Sequence, residues 1–339
     1  MNKMLVYLLL FLGSSLNAQN TLPKVLILTT GGTIASRTNA PLIDGPALVQ
    51  AVPELANYAA ISVEPIARIG SSKMTPDIWL QMLKRIRALI ASQPDLQGIV
   101  ITHGTDTMEE TAYFLNLTHQ STIPIVIVGS MRSSNEISAD GSANLLNAVR
   151  VAVAPGSKGK GVLVVLNENI SAARDLLKMN NRRVDAFRST ELGYLGFVDP
   201  DQVVFYRSPA KPHTLQSTFD LSAMDHLPSV DIVQDFAGLD KTIPAYFLQR
   251  PNAGLVVESF AGGRMSQAMT DALSQLAIDA KPVVIASGVK EGRIFGTNPT
   301  GTPLIIANDL PANKARILLM LALTKTKVPA EIQAIFNHY

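Results

Sequence analysis

The chain has 339 residues, 47% of them hydrophobic and 17% charged, a balance that excludes a disordered polymer and supplies apolar surface for a large core shared by two domains. Its formal charge of +2 is spread over single lysines and arginines, so no basic stripe is offered to nucleic acid or to an anionic membrane. The absence of cysteine excludes disulfides, thiol catalysis and thiolate-held metals.

The chain opens on Lys3, an apolar run from Leu5 to Gly13 and the small residues Ser14-Ser15-Leu16-Asn17-Ala18. That is the layout of a secretory signal peptide, residues 1–18, cut after Ala18, and it predicts a periplasmic or secreted protein. Met4 to Leu12 is far shorter than the ~20 apolar residues of a spanning helix, so no membrane anchor is expected.

Apolar, β-rich runs follow at Val25 to Leu28, Ile61 to Ile69, Gly98 to Thr102, Ile123 to Val128 and Gly161 to Leu166. Between them, Asp77 to Ser92 places Trp79, Met82, Leu83, Ile86, Leu89 and Ile90 at spacings of three and four, which predicts a helix with one face on a sheet. Strands alternating with helices predict an α/β fold with a mainly parallel, doubly wound sheet over residues 22–207. The proline-bearing stretch 208–229 reads as a linker. Residues 230–339 repeat the plan on a smaller scale, with strands at Val230 to Val233, Gly254 to Val257 and Pro282 to Ser287. Helices are expected near Ser266 to Ala280 and Asn313 to Thr324.

Two segments carry chemistry: Thr29-Thr30-Gly31-Gly32-Thr33-Ile34-Ala35-Ser36, and Ile101-Thr102-His103-Gly104-Thr105-Asp106-Thr107. Each places a threonine where a strand gives way to a loop, the position at which open α/β sheets bind ligands. Threonines there, one beside an aspartate, suggest hydroxyl-nucleophile chemistry on a small polar substrate. Taken alone, Gly31-Gly32-Thr33 also reads as a strand-ending turn. His103 reads as a hydrogen-bonded structural residue, and Glu109 and Glu110 as openers of a helix after Thr107. Histidines 103, 119, 213, 226 and 338 show no metal-ligand spacing, so no metal is expected. Neither phosphate-cradling glycine motif is present, which argues against a nucleotide enzyme.

Together the two segments resemble the signature motifs of the bacterial-type L-asparaginases. The resemblance continues through Gly129-Ser130-Met131-Arg132, Ser138-Ala139-Asp140-Gly141, Asn144 to Val149, Gly161 to Asn167 and the stretch from Asn313 to Asn337, so it spans Leu22 to Tyr339. It implies a cofactor-free amidohydrolase turning L-asparagine, and in some members L-glutamine, into the acid and ammonia. Thr33 matches the family's nucleophile, with Gly32 beside it. Thr105, preceded by Gly104, matches the threonine that hydrogen-bonds a lysine, here Lys178. Asp106 matches the aspartate that binds the substrate ammonium, and Ser71 the serine that binds its carboxylate. Ser72 stands where many members carry a glutamine. The family's usual homotetramer, a dimer of dimers, is implied as well.

The sequence departs from this pattern in two places. The path from Ser36 to Gly45 is short and lacks the tyrosine that contacts the nucleophile in the family; the nearest, Tyr58, lies beyond the next helix. Arg264 replaces an asparagine, and no acidic residue lies between Glu291 and Asp309, a stretch that includes Asn298. These departures admit a slow asparaginase, an amidase for a related substrate, or a non-catalytic periplasmic amino-acid-binding protein on the same scaffold.

Overall fold

The computed structural model describes residues 22–32, 34, 44–189, 191–276, 281–295 and 304–339. The expected signal peptide, Thr33, most of the shortened segment that follows it, and Asn298 lie outside them.

The larger sheet is built from β1 (Lys24–Thr29), β2 (Ala60–Pro65), β3 (Leu96–Thr102), β4 (Ile125–Val128) and β5 (Val162–Leu166), joined by β6 (Asn169–Ala172) and, beyond the short hairpin β7 (Leu177–Lys178) and β8 (Phe187–Arg188), by β9 (Gly196–Val198) and β10 (Val203–Phe205). Its order is β10-β9-β6-β5-β4-β3-β1-β2. The five strands β2, β1, β3, β4 and β5 are mutually parallel. Antiparallel pairs extend one edge. The change of direction comes from a two-residue turn between β5 and β6, where Asn167 and Glu168 both take positive φ, 50° and 64°, the conformation that suits a tight hairpin.

Side chains of the central strands alternate between two cores. Leu26, Leu28, Ile99, Ile101, Ile125 and Ile127 face the side covered by α2 (Pro76–Ser92) and α3 (Met108–Thr118). Val25, Ile27, Val100, Val126 and Val128 face the side covered by α1 (Gly45–Gln50) and α4 (Gly141–Val153). Helices on both faces make the sheet doubly wound, as the continuous β-branched runs predict. In α2, Pro76 occupies the first turn and Thr75 caps it, its hydroxyl accepting from the Ile78 amide, while Trp79, Met82, Leu83, Ile86 and Leu89 are buried.

The second sheet is parallel, in the order β11 (Val230–Gln234), β12 (Gly254–Ser259), β13 (Val283–Ser287) and β14 (Ile305–Ile306). On one side lie α5 (Thr242–Gln249) and α6 (Gln267–Ser274). On the other lies α7 (Ala312–Ala322), followed by α8 (Pro329–His338), in the same apolar core that covers α3. The two lobes therefore share one apolar core. The intervening stretch is itself packed: Phe219 and Leu221 are buried, and the Phe219 ring lies 5.1 Å from that of Tyr339. Two expectations need trimming. The run Ile61 to Ile69 is strand only as far as Pro65, after which Ile66 and Ala67 both turn their amides onto the Thr29 carbonyl. The helix expected from Ser266 to Ala280 runs from Gln267 to Ser274, and residues 277–280 lie outside the described ones.

Candidate active site

β1 and β3 are parallel neighbours with Thr29 in register with Thr102, so the loops after them leave the sheet side by side. Thr30 fastens the junction, its amide and hydroxyl both donating to the Thr102 carbonyl at 3.1 and 2.9 Å. Gly31 and Gly32 then adopt φ of 102° and 85°, a region closed to most L-residues. A Cβ on Gly32 would stand 2.4 Å from both Cα and N of Gly104. The first loop thus rests directly on the second, backbone against backbone.

Ser71 also packs on Gly104, where a Cβ would meet its hydroxyl oxygen at 2.6 Å. It is buried in a 3-10 turn, Ser71–Lys73. Its Oγ accepts the Asp106 amide at 3.0 Å, and Thr107 Oγ1 donates to its carbonyl at 2.9 Å. These bonds tie the loop after β2 to the loop after β3.

Lys178 arrives from the β7–β8 hairpin. Its Nζ lies 3.0 Å from Thr105 Oγ1 and 3.1 Å from Asp106 Oδ1. The Lys178 side chain is 19% exposed and that of Asp106 63%. With the carboxylate partner this open, the ion pair contributes only about 0–1 kcal/mol to stability. The approach to Lys178 is fixed from the other lobe: Lys314, wholly buried near the start of α7, donates from Nζ to the carbonyls of Arg174 and Leu176 at 2.7 and 2.5 Å. Burial lowers the Lys314 ammonium to about 8, against the pull of Glu109 and Asp175.

Gly32, Ser71, Gly104, Thr105, Asp106 and Lys178, drawn from four separate connections, therefore meet at one end of the sheet. Ser72 adjoins this group through Ser71 but its side chain is exposed. Thr33 lies outside the described residues. Arg264 is exposed on the loop after β12, where its carbonyl accepts the Phe260 amide. Thr107 and Lys314 went unread in the sequence. A threonine in a polar loop gives no signal, and a lysine in a helix is expected to face water.

His103 is fully buried, and desolvation lowers its imidazole to about 4, so it is neutral near pH 7 and suits a structural role. Glu109 and Glu110 stand in the first turn of α3, Glu109 accepting from Asn313 Nδ2 at 2.9 Å and Glu110 raised by its own burial. Among the described residues, no group of three histidine, aspartate or glutamate side chains is placed to hold a metal ion.

Residues 24–211 match the family described as Asparaginase, N-terminal, and residues 229–336 the Glutaminase/Asparaginase C-terminal domain. The chain is 41% identical to L-asparaginase 2 of Bacillus subtilis (strain 168) over 336 residues, covering 96% of this chain and 89% of the relative. It is 38% identical to the probable periplasmic L-asparaginase of Haemophilus influenzae (strain ATCC 51907 / DSM 11121 / KW20 / Rd), covering 100% and 99%. A crystal structure of the probable cytoplasmic L-asparaginase from Campylobacter jejuni superimposes with a TM-score of 0.89 at 42% identity, over 93% of this chain and 99% of that one. With both family domains matched in order along a single chain, and relatives this similar over nearly its whole length, the protein belongs to the asparaginase and glutaminase family.

Proposed function

We propose that the chain hydrolyses the side-chain amide of L-asparagine, and of L-glutamine as a second substrate, through an acyl-threonine. Thr33 Oγ attacks the amide carbon, and its proton passes to the leaving nitrogen, which departs as ammonia. Water then attacks the acyl-threonine, releasing the free acid and restoring the Thr33 hydroxyl. Thr105 and Lys178 handle the proton. A lysine that donates to Thr105 Oγ1 as an ammonium becomes an acceptor for the Thr105 hydroxyl proton once it is neutral. Asp106 holds the substrate ammonium by charge-assisted hydrogen bonds, and Ser71 its carboxylate. The oxygen that turns negative in the transition state is received by the Thr105 amide, for which the described residues contain no other acceptor.

The reading rests on one observation, the meeting of Lys178 Nζ with Thr105 Oγ1 and Asp106 Oδ1 in a member of this family. It is tested by measuring ammonia released from asparagine and glutamine by the purified protein and by Thr105→Ala. Trapping with an electrophilic substrate analogue, followed by peptide mass mapping, should label Thr33 or Thr105; a label elsewhere overturns the assignment. The absent tyrosine and Arg264 favour a second reading, an amino-acid binder that has lost turnover. Tight binding of asparagine with no ammonia would establish it.

Export after removal of residues 1–18, and assembly as a homotetramer, complete the proposal. The Haemophilus relative is named periplasmic and the Campylobacter one cytoplasmic, so cleavage is to be read from the N-terminal sequence of the mature protein. Assembly is to be read from sedimentation.

A further inference from the structure

His103, Thr111 and Trp79 form a hydrogen-bonded chain that ends on the peptide between Gly104 and Thr105. Trp79 Nε1 lies 2.8 Å from Thr111 Oγ1, Thr111 Oγ1 lies 2.9 Å from His103 Nε2, and His103 Nδ1 lies 2.6 Å from the Gly104 carbonyl oxygen. All three side chains are buried.

Elementary donor and acceptor rules assign every proton in this chain. A carbonyl only accepts, so Nδ1 carries the imidazole proton. The ring is neutral, its proton affinity held down by burial, so Nε2 has a lone pair and accepts from the Thr111 hydroxyl. The Thr111 oxygen in turn accepts from the indole N–H, which only donates. The tautomer is therefore determined, and the direction of donation runs without interruption from Trp79 to the Gly104 oxygen.

In a trans peptide the C=O and the following N–H point in opposite directions. Fixing the Gly104 carbonyl on His103, towards α3, aims the Thr105 N–H the other way, where no group of the described residues accepts it. Gly104 has little slack of its own, packed by both the Gly32 backbone and Ser71. A hydrogen bond received at the carbonyl also polarises the peptide and strengthens its N–H as a donor.

We propose that His103, held by Thr111 and Trp79, is a positioning residue that aims the Thr105 amide at the developing oxyanion. The inference rests on the amidase reading above and deepens it. A filler for the space between β3 and α3 would need only bulk, whereas this role needs a donor at the Nδ1 position.

The test uses the full-length protein and compares His103→Leu with His103→Asn. The asparagine amide nitrogen lies about where Nδ1 does and can still donate to the Gly104 carbonyl. His103→Leu is expected to lower kcat about 10- to 100-fold, the scale of a misaimed oxyanion donor, with the Kd for L-aspartate within about twofold of wild type. His103→Asn is expected to recover most of that kcat. Equal kcat in the two variants at matched Tm, or no loss in His103→Leu, overturns the proposal. Should both variants fail to fold, side-chain 15N NMR of the wild-type imidazole decides: the Nδ1–H tautomer unchanged from pH 5 to 9 is expected, and an Nε2–H tautomer or a titration near 6.5 overturns it. Wild-type protein that releases no ammonia from asparagine or glutamine would sink the amidase reading instead, a result distinct from any difference between the variants.

Discussion

Lys178 and Thr105 are 73 residues apart in the chain, yet the ammonium nitrogen of one stands 3.0 Å from the hydroxyl oxygen of the other. The contact crosses from a two-stranded hairpin to the end of a central strand, and it draws Asp106 in with it at 3.1 Å. Because the ion pair is open to water, its loss should be felt in turnover far more than in folding.

Replacing Lys178 with methionine should lower kcat at least about 100-fold, the usual scale for removing a positioned proton-transfer group. Stability should change by no more than about 1 kcal/mol. Ammonia release and a urea melt on the same preparation check both halves. A melt that collapses along with activity would recast Lys178 as structural.

Asp106→Asn should act on binding. Losing one charge-assisted hydrogen bond costs about 1.5–3 kcal/mol, or roughly a 10- to 100-fold rise in Kd for L-aspartate measured by calorimetry. Unchanged affinity would remove Asp106 from the substrate grip.

The two glycines at the loop contact should respond unequally to alanine. Gly32 has φ of 85° and its Cβ would sit 2.4 Å from the Gly104 backbone, so neither rotation nor retreat is available. A loss of about 2–4 kcal/mol is expected. At Gly104 a Cβ would meet Ser71 Oγ at 2.6 Å and Ser71 Cβ at 2.8 Å, but the φ there is not positive, so with no backbone strain added to the clash the stability loss should be smaller, while kcat still falls as Ser71 is displaced. Denaturant melts that rank the two in the reverse order would contradict this packing.

Stability should fall with acid in a defined window. His103 and His119 are both depressed to about 4 by burial, against about 6.5 in an unfolded chain. Above pH 6.5 both states carry neutral rings and the native state keeps its full stability. Below 6.5 the unfolded chain binds protons that the native state refuses, and stability is lost progressively as the pH falls towards 4, by up to about 3 kcal/mol per histidine. Urea melts from pH 7 to pH 4 measure the slope; a flat profile would mean that the rings take up protons in the fold as readily as in the unfolded chain.

Lys314→Met would strip two carbonyls, those of Arg174 and Leu176, of their buried donor. Each orphaned acceptor costs about 1–3 kcal/mol, offset in part by no longer burying a cation. A net loss of stability is expected, together with a fall in kcat through the displaced hairpin. A variant as active and as stable as wild type would show that the hairpin holds its own position.

The parts legible in sequence are those where one physical signal dominates. Val25 to Leu28 and Gly161 to Leu166 read as strands because a parallel strand covered on both faces is apolar along its length. Asp77 to Ser92 reads as a helix because its burial is one-sided. Helix α4 gave no such stripe: Asn144, Asn147 and Arg150 are buried within it, the first bonded to the Gly129 carbonyl and the third to the Asp199 carbonyl. In the site, Thr105 and Asp106 announce themselves by standing in the loop just after a strand. Lys178 entered through family resemblance, since nothing local distinguishes it from a solvated charge. The chain from Trp79 through Thr111 to His103 follows no sequence spacing, because α2, β3 and α3 become neighbours only in the folded sheet.

Taken together, the clasp from Lys314 to the segment ahead of Lys178 and the contact of Gly32 with Gly104 mean that no small piece of this polypeptide carries the working centre. Its members span Gly32 to Lys178, and the brace comes from a helix more than a hundred residues further on. During refolding, competence should therefore appear late, after both lobes have docked, however early the strands themselves are formed.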